Sequence, residues 1–357
     1  MKIYLLQVED LLPRREVEVN LSQVSKHIED EVVLVTGAGG SIGSELCRQI
    51  CRFQPKKLIL MGRGENSIYE ISLELALSKT KVTYIPVIGD IRDKDRVEEI
   101  FARHKPTMIF HAAAHKHVAL MELHPEEAFK NNVFGTLNLV RAADAYQAKM
   151  MLFISTDKAV NPSSVMGLTK LLGEMIIRSY AAKSCTKFCA VRFGNVLGSR
   201  GSVVQLFRKQ IAAGGPITIT HPEMRRYFMT IREAVQLVLQ AGAMAEGGEI
   251  FMLDMGEQVK IVDLARNMIR LSELTGHKKI EIKYVGVKPG EKLSEELLTA
   301  KENARVTQHR KIFIIHPEVV DQELFNLIEE ARDTPNGDYL ERLMRAARDK
   351  YRLLLAT

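Results

Sequence analysis

Thr156, Asp157 and Lys158 place a hydroxyl, a carboxyl group and an amine at consecutive positions, and a second amine, Lys170, follows four residues beyond Met166. A carboxylic acid can donate a proton, and an uncharged amine can accept one. Such transfers by positioned side chains are each worth about 10²–10⁴-fold in rate. The triplet follows the apolar run Met151-Leu152-Phe153-Ile154-Ser155, which reads as a buried strand. In an open α/β sheet, ligands bind at the carboxyl ends of the strands. That position argues for chemistry and against an exposed ion pair after a strand.

Upstream, Thr36-Gly37-Ala38-Gly39-Gly40-Ser41-Ile42-Gly43 joins the strand Val32–Val35 to a helix over Ser41–Phe53, with apolar residues at Ile42, Leu46 and Ile50. Gly37, Gly40 and Gly43 allow a tight turn and a close approach of backbone amides to a pyrophosphate at the helix N-terminus, with Ser41 and Ile42 at the same turn. The strand before and the helix after make the glycine spacing a dinucleotide signal rather than a glycine-rich turn. The second strand ends Leu60-Met61-Gly62-Arg63-Gly64-Glu65 with no acid at its tip. Arg63 stands where it could meet a 2′-phosphate, which favours NADP over NAD, while Glu65 keeps a ribose contact open. After the third strand, Asp90 and Ile91 are placed at the adenine edge. Asp93 is the better cap of the following helix.

The fourth strand leads into His111-Ala112-Ala113-Ala114-His115-Lys116-His117. Three histidines in seven residues suggest a metal, but no carboxylate is spaced to complete a coordination shell, and no metal is expected. The small residues Ala112 and Ala113 suit close packing against a dinucleotide, and Lys116 suits a phosphate or sugar. Asn132 on the next helix could position the catalytic strand.

These segments require a scaffold. Strands read at Lys57–Met61, Val82–Ile88, Thr107–Phe110, Met150–Ser155 and Phe188–Phe193 alternate with helices at Glu65–Ser78, Lys94–His104, Glu126–Ala148 and Val165–Ala182. Alternation of this kind implies an α/β, Rossmann-type doubly wound parallel sheet, with strands apolar throughout because both faces are covered. Residues 1–30 read as an N-terminal arm and residues 31–195 as the dinucleotide domain, to which 230–260 return. Residues 196–229 and 261–357, glycine-rich with short helices and a helical tail from Asp321, read as a smaller α/β cap over the carboxyl edge.

Bulk properties agree with a soluble globular protein. Of 357 residues 46% are hydrophobic and 26% charged. Fifty basic against 44 acidic residues, a net charge of +6, is too even a balance to argue for nucleic acid and suits a polyanionic small molecule. No apolar run approaches the roughly 20 residues that span a bilayer, and no signal peptide opens the chain. The pairs Cys47/Cys51 and Cys185/Cys189 read as free thiols rather than zinc ligands, consistent with a cytoplasmic location.

The glycine loop, Gly89-Asp90-Ile91, His111–Glu122, Ser155–Lys170, the run from Arg192 to Ser202 and Lys288-Pro289-Gly290-Glu291-Lys292 together resemble the extended short-chain dehydrogenase/reductases. More narrowly, they are similar to the UDP-N-acetylglucosamine 4,6-dehydratases of bacterial surface-glycan (capsule) biosynthesis. The Thr156–Lys158 and Gly194–Ser202 segments are specific to that branch, and the resemblance spans most of residues 31–300. It implies a tightly bound, recycled NADP or NAD and a redox-neutral elimination. Carbon 4 is oxidised, water is lost across carbons 5 and 6, and the hydride returns to carbon 6. On this resemblance Asp157 is the acid and Lys158 the base of the elimination, Thr156 bonds the 4-hydroxyl, and Lys170 holds the nicotinamide ribose. Asn195, Ser202, Val203, Arg226, Lys288, Glu291 and Lys116 meet the UDP-sugar. Met166 stands where the superfamily usually carries the tyrosine that serves as base for the first oxidation, and a thioether takes no proton. Asp157, or a water held by Thr156, then becomes the candidate first base. The resemblance also implies a homo-oligomer, and residues 1–30 look like a connector to membrane-spanning segments of longer members, so the chain is expected to be a portion of a larger protein. Two alternatives stay open: a UDP-sugar 4-epimerase on the same fold, and a non-catalytic dinucleotide-binding domain.

Overall fold

The computed structural model describes residues 20–273, 280–316, 320–334 and 337–351. Most of the predicted N-terminal arm, residues 1–19, lies outside these. Its end is not an arm: Leu21–Ile28 is a helix, capped by the Asn20 side chain, that buries Val24 and Ile28 against the helix Ile231–Ala243.

Seven parallel strands, running to one edge, make up most of a nine-stranded sheet. They are β1 (Val32–Thr36), β2 (Lys57–Gly62), β3 (Tyr84–Ile88), β4 (Met108–His111), β5 (Met150–Ile154), β6 (Lys187–Arg192) and β7 (Ile250–Leu253). Their spatial order is β3-β2-β1-β4-β5-β6-β7, so the chain reverses direction across the sheet between β1 and β4. A crevice opens at such a switch point. β1, β4 and β5 bury almost every side chain, because helices cover both faces. Two separate apolar clusters result. One lies between the sheet and Val165–Ala181, and the other between the sheet and the helices Ser41–Cys51 and Ile231–Ala243. A third cluster, around Val204, Phe207, Leu264 and Met268, is the core of the cap.

Two expectations need correction. Residues 261–357 do not all belong to the cap. β8 (Asn303–Val306) and β9 (Ile312–His316) extend the main sheet, antiparallel to each other, with β9 antiparallel to β7. The alternation within β9 explains this, since Ile312 is buried in one face's cluster and Ile315 in the other's. The helices Gln322–Asp333 and Gly337–Tyr351 then pack on Val165–Ala181. The single helix expected over Glu126–Ala148 is instead three pieces: Pro125–Ala128, a π-helical turn Phe129–Phe134, and Gly135–Ala145. The wider π turn holds Asn132, whose amide accepts from the His115 backbone N–H (2.8 Å) and donates to the His115 carbonyl (3.0 Å) and to Thr169 (3.0 Å). All four cysteines are free, and no histidine, cysteine or carboxylate cluster able to hold a metal occurs among the described residues.

Candidate active site

The glycine loop turns sharply from β1 into the helix Ser41–Cys51. Gly37 has φ +65°, and a Cβ there would sit 2.8 Å from the Ala113 backbone. A Cβ on Gly43 would sit 2.1 Å from the Gly37 carbonyl. Ala112 completes the approach by donating its N–H to the Thr36 carbonyl. Gly40 caps the helix with no side-chain hydrogen bond, so the first-turn amides of Ser41, Ile42 and Gly43 have no capping partner. Bare amides at the positive end of a helix, reached through a backbone that admits no side chain, fit a dinucleotide pyrophosphate.

Arg63 and Asp90 meet at 3.8 Å beyond the tips of β2 and β3, with Arg63 more than half exposed. Burial opposes ionisation of Asp90, yet the hydrogen bonds from Arg92 hold its pKa below the usual carboxylate value. Ile91 is buried, and a Cβ on Gly135 would strike it. Asp93 caps its helix by accepting from the Arg96 N–H.

His111 is structural. Its Nδ1 meets the Thr36 hydroxyl at 2.8 Å and its Nε2 meets the Thr136 hydroxyl at 3.0 Å. Thr136 donates in turn to the Asn132 carbonyl. Thr136 therefore accepts from Nε2–H, and Nδ1 accepts from Thr36. Desolvation, and then the charge of Lys170, push the His111 pKa well below its ordinary value, which keeps the ring neutral as this chain of bonds requires.

The carboxyl ends of β1, β4, β5 and β6 open into a cleft of about 920 Å³. Gly40, Ser41, Ile42, Lys116, Thr156, Lys158, Met166, Lys170, Asn195, Ser202, Val203, Arg226, Lys288 and Glu291 line it. Gly37, Gly43, Arg63, Asp90, Ile91, Ala112, Ala113, Asn132 and Asp157 do not.

Thr156 caps the short turn Asp157–Ala159 and donates its hydroxyl proton to Asp157 Oδ1 at 2.8 Å. Asp157 is fully buried. Its Oδ1 also accepts from Lys158 Nζ at 3.0 Å, and its Oδ2 has no hydrogen-bond partner. Asp157 does not itself line the cleft, but Thr156 and Lys158, both bonded to its Oδ1, do. Lys158 Nζ donates as well to Asn195 Oδ1 at 3.0 Å. Lys170 rises from the same helix turn as Met166, 94% buried, with its Nζ 3.8 Å from the centre of the Phe153 ring. Burial draws its pKa down to about 7, against a small opposing pull from Glu174.

Glu295 escaped the sequence reading. It is buried, lies 3.6 Å from Lys158 Nζ and 3.8 Å from Arg226 Nε, and its Oε2 is unpartnered. It joins the amine beside Asp157 to the cap's most buried cation. Its only signal was proximity to the Lys288–Lys292 turn, in which the Glu291 carboxylate accepts from the Lys288 N–H. Ser202 Oγ is buried without a partner at the start of the helix Val203–Ala212.

Residues 33–317 match the family model described as polysaccharide biosynthesis protein. The chain belongs to that family. It is 54% identical to the capsular polysaccharide biosynthesis protein CapD of Staphylococcus aureus over 90% of its length, but spans only about half (52%) of that relative. It is 33% identical to the inverting UDP-N-acetylglucosamine 4,6-dehydratase of Campylobacter jejuni, covering 82% of this chain and 85% of that one. It is equally 33% identical to a UDP-glucose 4-epimerase of Rickettsia rickettsii, covering 80% and 83%. Among solved structures, Pen from Bacillus thuringiensis superimposes with a TM-score of 0.75 at 35% identity, over 85% of this chain and 98% of that one. The fold is thus that of the extended short-chain dehydrogenase/reductases, in an enzyme family of nucleotide-sugar dehydratases and epimerases. No helix among the described residues is long and apolar enough to cross a membrane.

Proposed function

We propose that this family member is a UDP-N-acetylglucosamine 4,6-dehydratase that forms a UDP-4-keto-6-deoxy-hexosamine for surface glycans. The carrying observation is the 3.0 Å contact between Asp157 and Lys158 at the cleft wall, with the Thr156 hydroxyl beside it and Lys170 one helical turn beyond Met166. A nicotinamide dinucleotide, when bound, supplies the hydride acceptor at carbon 4 and the hydride returned to carbon 6. The first-turn amides of Ser41 and Ile42 hold its pyrophosphate and Lys170 its ribose, and Arg63 favours a 2′-phosphate and hence NADP.

Proton movements then balance over two groups. Thr156 bonds the 4-hydroxyl and passes its proton to Asp157 Oδ1, which replaces the base that Met166 cannot be. Asp157 returns that proton through Thr156 to the departing carbon 6 hydroxyl, which leaves as water. Lys158, in its uncharged form, takes the carbon 5 proton that the new ketone has acidified and gives one back to carbon 5 when the hydride reaches carbon 6. Arg226 and Ser202 bind the diphosphate, Asn195 and Glu291 the uridine side, and Lys116 and Lys288 add positive charge at the mouth.

The test is mass spectrometry of the product from UDP-N-acetylglucosamine in deuterated water. A product lighter by one water, with deuterium at carbon 5, is expected. An isomer of unchanged mass would instead establish the 4-epimerase reading, which the R. rickettsii relative favours. Bound dinucleotide that no UDP-sugar ever reduces would refute both.

A further inference from the structure

Residues 198–202 leave the cap, cross the mouth of the cleft and touch the dinucleotide domain at four places. The Arg200 N–H donates to Ser41 Oγ at 2.9 Å, directly above the first-turn amides of the glycine loop. The Arg200 guanidinium pairs at 2.6 Å with Glu70, on the helix Glu65–Leu77 that follows β2. Ser199 accepts from Lys116 Nζ at 3.4 Å. Gly201, at φ +70°, lies so close to the His117 ring that a Cβ would come within 2.5 Å of it. The span is braced from inside, since Gln205 accepts from the Gly201 N–H and donates to the Gly198 carbonyl. Its root is fixed where the Leu197 N–H meets the Met229 carbonyl. Ser199, Arg200, Gly201 and Ser202 all line the same cleft as Ser41 and Ile42.

We infer that Arg200 and Glu70 clasp this span over the pyrophosphate of the bound dinucleotide and retain it from one turnover to the next. The inference rests on the proposed function, in which the hydride taken at carbon 4 returns to carbon 6 and the dinucleotide never needs to leave. Arg226, Lys288 and Glu291, which the proposed function assigns to the sugar nucleotide, line the same cleft from outside this span. Both members of the pair are about 60% exposed, so the clasp is a weak, salt-sensitive latch that sets a release rate and contributes little to folding.

The experiment measures release of nicotinamide dinucleotide from the purified protein, by chasing bound cofactor with excess labelled dinucleotide and separating the two. Charge reversal, Glu70→Arg, replaces attraction with repulsion and is expected to speed release about three- to tenfold. The double reversal Glu70→Arg/Arg200→Glu is expected to restore release to within about twofold, and 1 M salt to speed the wild type but not Glu70→Arg. Melting curves of all three should coincide. Equal release from wild type and Glu70→Arg, or a double variant as fast as the single, overturns the clasp while leaving the proposed function intact. A wild type that neither carries nor takes up dinucleotide overturns both.

Discussion

Replacing Lys170 with methionine should stabilise the cofactor-free protein, and only in a defined pH range. Its amine is held at about 7 instead of 10.5 by burial. At roughly 1.4 kcal/mol per decade, that depression corresponds to roughly 4–5 kcal/mol of strain in the charged form. The sign follows from proton counting. Below pH 7 the amine is charged in both folded and unfolded chains, and the full burden falls on the fold. Between pH 7 and 10.5 the unfolded chain holds a proton that the folded one lacks, so stability of the wild type rises with pH. Above 10.5 the effect is gone. Lys170→Met should therefore raise the melting temperature by several degrees at pH 6 and by little at pH 10.5, as read by thermal scans of dinucleotide-free protein. An equal gain at both pH values, or a loss at pH 6, would refute the burial argument.

Other outcomes are as specific. Lys158→Ala should lower dehydration by about 10²–10⁴-fold while leaving dinucleotide binding in place, as seen by product mass and bound-cofactor content. Gly43→Ala should abolish dinucleotide binding and lower the melting temperature, since the new methyl would stand 2.1 Å from the Gly37 carbonyl; wild-type binding would contradict the turn geometry. Arg192→Met strands the buried carboxylates Glu174 and Glu302, bonded to it at 2.7 and 3.0 Å, and should cost about 3–5 kcal/mol in urea melts. Adding Glu174→Gln and Glu302→Gln should recover most of that loss. Thr136→Val removes the acceptor of His111 Nε2–H and should cost about 1–3 kcal/mol in the same assay.

The parts legible in the sequence are those written in consecutive residues. The glycine loop is a strand, a turn and a helix within 20 residues, so its chemistry is local. Thr156–Lys158 follows a buried strand directly, and the carboxyl-edge rule gives its location without tertiary knowledge. What could not be read depends on distant neighbours. Strand geometry alone does not say that Asp157 turns inward, because that follows from Phe193 accepting its backbone N–H and from Gly194 making room beside its carboxylate. Glu295 meets Lys158 across 137 positions, one charge in a polar stretch until the cap folds onto the sheet. β8 and β9 are runs of four and five residues, too short for their periodicity to outweigh the charged tail around them. The π turn adds a residue to a helix whose apolar pattern reads as unbroken on either side.

The last two strands have a consequence for how the polypeptide is made. β7 has β6 on one flank and receives β9 on the other only after some sixty further residues have been synthesised. Until then the nascent chain carries an open flank of bare amides and carbonyls, flat and apolar, of the kind that templates aggregation. Arg192 waits likewise, holding Glu174 but not yet Glu302. Emergence of β8 and β9 from the ribosome is thus the moment at which the catalytic scaffold becomes safe from its own siblings.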